Sequence, residues 1–364
     1  MSVQSLRTAD LRLMPPLRNA EEPRVAVVLN ANARKVTQKI VHALSHVIPE
    51  RDLFVSRSEQ DGRRAVQTIL DRRYHTVFSG GGDGTFALLV NEIQRQMDAR
   101  GRHSGVKAPK MGVLRLGTGN GMATLLNASL PRGGGILDDV LRARAGEVPG
   151  YRRLDLLQVD GRRAQFAGLG IDGRILNDYI WVKQHVAKGF LRRAMTGPGG
   201  YLSSIALRTV PHYLTHSTSV ECEVFNGKHS PAHRLGPMGQ PVGEPIEPGE
   251  LIYRGRLKMA AAGTIPFYGY EFKMFPFAAR RRGMMHLRLG QVSTPAVLAN
   301  LHKLWKGRWF PDGVLDFHAS EVDIRCEHPM PFQIAGDAAG YRNELHLGIA
   351  PEQVELVDFT ATLH

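Results

Sequence analysis

Ser79-Gly80-Gly81-Gly82-Asp83-Gly84-Thr85 and Leu116-Gly117-Thr118-Gly119-Asn120-Gly121-Met122-Ala123 are the two stretches that decide how this sequence folds. Thr76 to Phe78 reads as a strand before the first, and Thr85 to Met97 as a helix behind it. Met111 to Leu114 reads as a strand before the second, and a helix is expected to follow. Successive glycines permit positive φ and let a ligand approach the backbone closely. A helix N-terminus adds free N–H groups and a positive dipole end, which favour phosphate. No Gly-Lys-Ser/Thr follows, so neither stretch is a Walker loop. Gly82-Asp83-Gly84 also lacks the third glycine of the dinucleotide fingerprint. An acid inside a phosphate loop repels phosphate unless it holds Mg²⁺ or takes a proton from an attacking hydroxyl. The alternative for Asp83 is a plain helix cap.

Outward from these loops, strands and helices alternate from Arg24 to about Gly146. Val25 to Leu29 and Leu53 to Val55 read as strands. Val36 to Ile48 and the Ala65, Val66, Ile69, Leu70 cluster have helical spacing. This alternation predicts a doubly wound α/β nucleotide-binding domain over 24–150, after an extension at 1–23. From Tyr151 the style changes. Asp160-Gly161 and Asn226-Gly227 are hairpin dipeptides, and Leu154 to Val159, Ala164 to Leu169, Ser219 to Phe225, Leu251 to Ala260, Met284 to Leu289, Glu321 to Cys326, Phe332 to Ile334 and Gln353 to Val357 read as strands. The expectation for 151–364 is an antiparallel β-sandwich, interrupted by helices at about Ile175 to His212 and at Pro295 to Trp305. Lys228 to Glu250, rich in Pro and Gly, reads as a mobile loop or insertion.

Composition sets the outer bounds. The chain has 364 residues, 43% hydrophobic and 22% charged, which suits one or two packed cores. No run of 18 apolar residues occurs, so no transmembrane helix is expected, and 1–24 lacks the apolar centre of a secretory signal. Two cysteines, Cys222 and Cys326, cannot build a disulfide framework or a four-cysteine metal site, which fits a reducing, cytoplasmic setting. No histidine pair has the zinc-protease pattern, so no zinc site is expected. A net charge of +13 points to an anionic partner. Nucleic acid is set aside because no aromatic-basic motif accompanies the charge. Tyr179 to Met195 and Leu301 to Phe310 mix aromatic, aliphatic and basic residues, as an interfacial helix on an anionic membrane does; lining a core or lipid tunnel is the alternative.

Gly81-Gly82-Asp83-Gly84-Thr85 followed by Leu116-Gly117-Thr118-Gly119-Asn120 resembles the diacylglycerol kinase catalytic-domain family, which includes bacterial diacylglycerol kinases, sphingosine kinases and ceramide kinases. Phe166-Ala167-Gly168-Leu169-Gly170-Ile171-Asp172 and Pro331-Phe332-Gln333-Ile334-Ala335-Gly336-Asp337 resemble two further family stretches in the same order. The resemblance implies transfer of the γ-phosphoryl group of ATP, with Mg²⁺, to a lipid hydroxyl in a cleft between two domains. With the cysteine usage and the aromatic-basic segments above, the expectation is a cytoplasmic protein attached peripherally to membranes. By motif, Asn30 and Arg34 fall in the first nucleotide loop, and Ser56 matches a nucleotide contact. Gly80, Gly81, Gly82, Asp83, Gly84 and Thr85 would cradle phosphates, with Thr118 and Asn120 lining the pocket. Asp83 matches the base proposed in the sphingosine kinase branch and Asp337 the base proposed in the bacterial branch. Asp172 matches a residue facing the lipid head group, or is an ordinary Asp-Gly turn.

Departures from the pattern are specific. Asn30-Ala31-Asn32-Ala33-Arg34 replaces the family's Asn-Pro-x-Ser/Gly-Gly, Ala87-Leu88 stands for Asn-Glu, and Ala335-Gly336-Asp337 for Asp-Gly-Glu. Arg280-Arg281-Arg282 stands where some bacterial members carry acids for a structural metal, so that metal is not expected. Two other readings stay open: a non-catalytic binder of lipid or nucleotide, and a soluble NAD or sugar-phosphate kinase of the same superfamily.

Overall fold

The computed structural model describes residues 24–101, 104–117, 119–170, 219–269 and 271–360. The expected helix at about Ile175 to His212, the segment Tyr179 to Met195, and the candidates Thr118 and Asp172 lie outside the described residues.

The first half alternates as its sequence predicts: β1 (Val25–Asn30), α1 (Gln38–Ser45), β2 (Leu53–Ser56), α2 (Glu59–Asp71), β3 (Thr76–Gly81), α3 (Asp83–Arg100), β4 (Lys110–Arg115), α4 (Gly121–Leu125), α5 (Gly135–Ala145) and β5 (Gly150–Leu154). Strand order is β2-β1-β3-β4, all parallel. Alternate residues of β1 serve different cores. Ala26 and Val28 pack with Val66, Ile69 and Phe86, whereas Val25, Val27 and Leu29 pack with Leu44, Ile136 and Val140. With both faces covered, β1 reads as an unbroken apolar run rather than an alternation. Thr37 caps α1 through Ile40 N–H, and Ser58 with Asp61 forms a capping box on α2.

In the second half, β6 (Leu157–Val159), β7 (Arg162–Ala164), β8 (Phe166–Gly170), β9 (Val220–Asn226), β10 (His233–Leu235), β11 (Leu251–Leu257), β12 (Met259–Gly263), β13 (Met285–Gly290), β14 (Val314–Ala319), β15 (Glu321–Ile334) and β16 (Asp337–Ile349) form one antiparallel sheet of eleven strands. Hydrogen bonds thus join the strands expected as a two-sheet sandwich into a single sheet. The long β15 makes this possible, because Val322 to Cys326 pair with β9 while Phe332 to Ile334 pair with β8. Between β13 and β14 lie α6 (Thr294–Ala299) and α7 (Leu301–Trp305), where a helix was expected.

The last strand, β17 (Val354–Asp358), corrects one expectation. It was read with the β half, yet it pairs parallel to β4 and antiparallel to β5, in the sheet of the first half. Its residues Leu356 and Val357 are fully buried. Among the described elements the polypeptide therefore crosses between the two sheets twice, at β5–β6 and at β16–β17, and α3 also packs against β7. In that contact Asn91 of α3 accepts from Arg163 N–H and donates to Arg163 C=O, at 2.7 and 2.8 Å.

Candidate active site

Order β2-β1-β3-β4 reverses between β1 and β3, and the crevice outside such a reversal is where α/β sheets hold ligands. Both strand ends deliver the predicted residues there. Asn30, closing β1, donates from Nδ2 to Thr85 Oγ1 at 3.0 Å and accepts Asn32 N–H at 2.9 Å. Ser56, closing β2, donates to Ser58 C=O at 2.8 Å. A cleft of about 500 Å³ opens here, lined by Asn30, Ser56, Gly62, Thr85, Leu88 and Arg162 among others. Leu88, half exposed, stands in the cleft where the resemblance called for an acid.

The glycines are fixed by close approach rather than by unusual φ. A methyl group on Gly81 would strike the Thr85 side chain, and one on Gly117 would strike the Gly82 backbone. The two glycine loops therefore touch backbone to backbone. Asn120 holds the second loop shut. It sits in the left-handed region at φ 53°, accepts Gly117 N–H at 2.9 Å and donates to Gly117 C=O at 2.7 Å. Asn120 is buried and shapes the loop rather than presenting its amide to the cleft.

Asp83 joins the loops. Its carboxylate accepts Gly121 N–H and Met122 N–H, each at 2.9 Å, so it caps α4 from the first turn of α3. Burial pushes its carboxyl above the ordinary value, while the two N–H groups pull the other way. Gln165, fully buried just before β8, donates to Asp83 C=O at 3.2 Å. Both Asp83 oxygens are thus engaged by backbone.

Asp337 arrives from the other sheet. Ala335 and Gly336 both take positive φ, 52° and 86°, in a two-residue hairpin that pairs Ile334 with Asp337. Gln333 accepts Gly336 N–H at 3.1 Å and steadies the turn. Oδ2 of Asp337 lies 3.8 Å from where a Cβ on Gly84 would stand. The carboxylate therefore faces the first turn of α3. Burial raises its carboxyl from the ordinary value, and Arg162 opposes the rise.

Sequence reasoning pointed to Arg34 but missed the cations Lys35, Arg115 and Arg162. Lys35 lies close to Arg115 and Arg34; burial, then those two charges, lower its ammonium. Arg115 leads into the second glycine loop and donates to Ala123 C=O at 3.3 Å. Arg162 lines the cleft from β7. Nothing in local patterning separates these residues from other surface cations; only the fold brings them to one place. A phosphate chain fits this donor set, which combines glycine backbone with no space for side chains, the N-terminus of α3, and the Arg34–Lys35–Arg115 group.

Residues 24–149 match the family model described as diacylglycerol kinase catalytic domain. A crystal structure of a diacylglycerol kinase from Bacillus anthracis strain Sterne superposes with TM-score 0.60 over 94% of this chain and 100% of that one, at 11% identity. Two structures of candidate diacylglycerol kinases from the same strain give 0.61 at 13% identity and 0.62 at 11%. They cover 94% and 93% of this chain, and 99% of each partner. No curated protein matches the chain. At these identities the structures establish a shared fold across nearly the whole length. The stretch that resembles that family model, residues 24–149, contains the glycine loops, Asn30, Ser56 and Asp83.

Proposed function

We propose that this protein is an ATP-dependent lipid kinase that transfers the γ-phosphoryl group to the hydroxyl of diacylglycerol, a sphingoid base or ceramide. The observation that carries the reading is Asp337, a carboxylate brought from the second sheet to Gly84, at the phosphate-binding end of α3. MgATP, when bound, supplies the phosphoryl donor and a cation that neutralises phosphate charge. Backbone N–H groups of the Gly80 to Thr85 turn would hold the phosphates, with Lys35, Arg34 and Arg115 supplying positive charge. Ser56, Gly62 and Arg63 line the cleft where the nucleoside would lie. Lone pairs left on Asp83, together with Asp337, would be open to a hydrated Mg²⁺.

Asp337 takes the acceptor hydroxyl proton in this reading, and Asp83 positions the two loops. A hydroxyl proton leaves late in such a transfer, so a carboxylate helps most as the bond to phosphorus forms. Desolvation raises Asp337, which makes it a stronger base than an ordinary aspartate. Peripheral attachment to an anionic surface fits the exposed Arg281, Arg282, Lys303, Lys306 and Arg308. No described helix is long and apolar enough to cross a membrane. Offering the protein diacylglycerol micelles together with soluble NAD⁺ as rival acceptors tests the reading. Phosphate in the lipid fraction supports it, and phosphate in the nucleotide fraction assigns the cleft to a soluble acceptor instead.

A further inference from the structure

Cys222 and Cys326 are 104 positions apart in sequence, yet their sulfurs lie 2.9 Å apart in the core of the antiparallel sheet. They are direct register partners on β9 and β15, so both side chains leave the same face. Cα atoms of such partners sit about 4.5–5.5 Å apart, inside the range of about 4.4–6.8 Å that a disulfide spans. No backbone movement is needed to join them. Met330 closes the third side, its thioether 3.6 Å from Cys326 and 3.9 Å from Cys222. Cys222 is 2% exposed and Cys326 8%, so the pair is open only to a small reagent, and from the Cys326 side.

We propose that this pair is a site of reversible oxidation, at which a hydroperoxide converts the two thiols to an intrachain disulfide tying β9 to β15. The environment gives the two sulfurs different tasks. Cys222 donates its S–H toward Cys326, which favours the Cys326 thiolate and lowers that thiol; the same bond raises Cys222. The Cys326 thiolate attacks the peroxide, the O–O bond breaks, and Cys326 becomes a sulfenic acid with release of alcohol or water. Cys222 then attacks that sulfur, the S–O bond breaks, and water leaves with the proton from Cys222. One hydroperoxide is reduced for each disulfide formed, and a dithiol reductant reverses the step.

The experiment uses the intact native chain and is independent of the nucleotide cleft. The protein is exposed to hydrogen peroxide, then denatured in the presence of an alkylating reagent and mapped without reduction. Both thiols should be lost to alkylation together, one peptide should link Cys222 to Cys326 within a chain, and dithiothreitol should restore both. The oxidised form should also unfold at a higher temperature than the reduced form, because closing a long loop restricts the unfolded chain. In Cys222→Ser, peroxide should leave a sulfenic acid on Cys326 that dimedone captures, and the thermal difference should vanish. Two alkylatable thiols after peroxide treatment, a sulfinic acid on Cys326 beside a free Cys222, or a link only between chains would each overturn the proposal.

Discussion

Two aspartates that both read as candidate bases are separated by what their oxygens touch. Asp83 has each oxygen on a backbone N–H, whereas Asp337 reaches Gly84 from the other sheet. Asp337→Asn should lower the turnover of phosphoryl transfer by about 10²–10⁴-fold while leaving ATP affinity near wild type. The wild-type rate should fall on the acid side through a group titrating above an ordinary aspartate, since burial raises it. Rate profiles against pH, paired with calorimetric ATP binding, check both statements; a fully active Asp337→Asn removes the base assignment. Asp83→Asn should act differently. One of the two N–H groups would meet an amide N–H₂, at a cost of about 1–3 kcal/mol, so thermal stability and ATP affinity should drop together. Unchanged melting with unchanged ATP affinity would show that the loops do not depend on this contact. In the sequence, Asp83 could be read as cap, metal ligand or base, because its partners lie 38 and 39 positions away. Only the fold decides that it caps α4, a helix it does not belong to.

At the scale of elements, the two glycine loops were legible because their spacing from strands and helices is local. β1, α2, β3, α3 and β4 follow the expected pattern, with α3 extending three residues beyond the expected Met97. The missed elements share a physical reason. β16 is mostly exposed, and His233–Leu235 is a three-residue strand within a Pro/Gly-rich stretch, so neither shows apolar alternation. β14 was also missed, because both of its faces are buried from Asp316 to Ala319 and one of them carries Asp316 and His318, which hides it from a hydrophobicity reading. β17 reads as a strand but gives no sign of which sheet it joins. Contact between the loops makes a testable contrast. Gly117→Ala should destabilise the protein severely and abolish ATP binding, because its methyl meets the Gly82 backbone. Gly84→Ala finds ordinary contact distance and should fold normally. Thermal melts of the pair read the difference, and equal melting points would contradict the backbone contact.

Across the whole molecule, stability should depend on a buried polar group that no motif reveals. His286 and Arg288 are fully buried and both meet Asp316, at 2.9 Å from His286 and 2.7 and 3.0 Å from Arg288. His286 Nδ1 accepts Phe277 N–H, so Nε2 carries the proton toward Asp316 and the ring is neutral. Burial lowers His286, and it lowers His318 beside it. A histidine held below its ordinary value near 6.5 leaves the unfolded chain binding more protons, so stability falls as pH drops through that value. Asp316 is held far below its ordinary value by Arg288 and His286, against burial, and its contribution persists until much lower pH. The melting temperature should therefore be lower at pH 5.5 than at 7.5, and His286→Gln should narrow that gap. An identical gap in the variant would remove His286 as a cause.

The reading of a cleft assembled from both sheets that passes phosphate to a lipid also belongs to the molecule as a whole. The most direct measurement follows labelled γ-phosphate of ATP, with Mg²⁺, into mixed micelles of diacylglycerol, sphingosine or ceramide. Label should appear in one of these lipids and be lost in Asp337→Asn. ATP that binds yet labels none of the three would overturn the lipid-kinase reading.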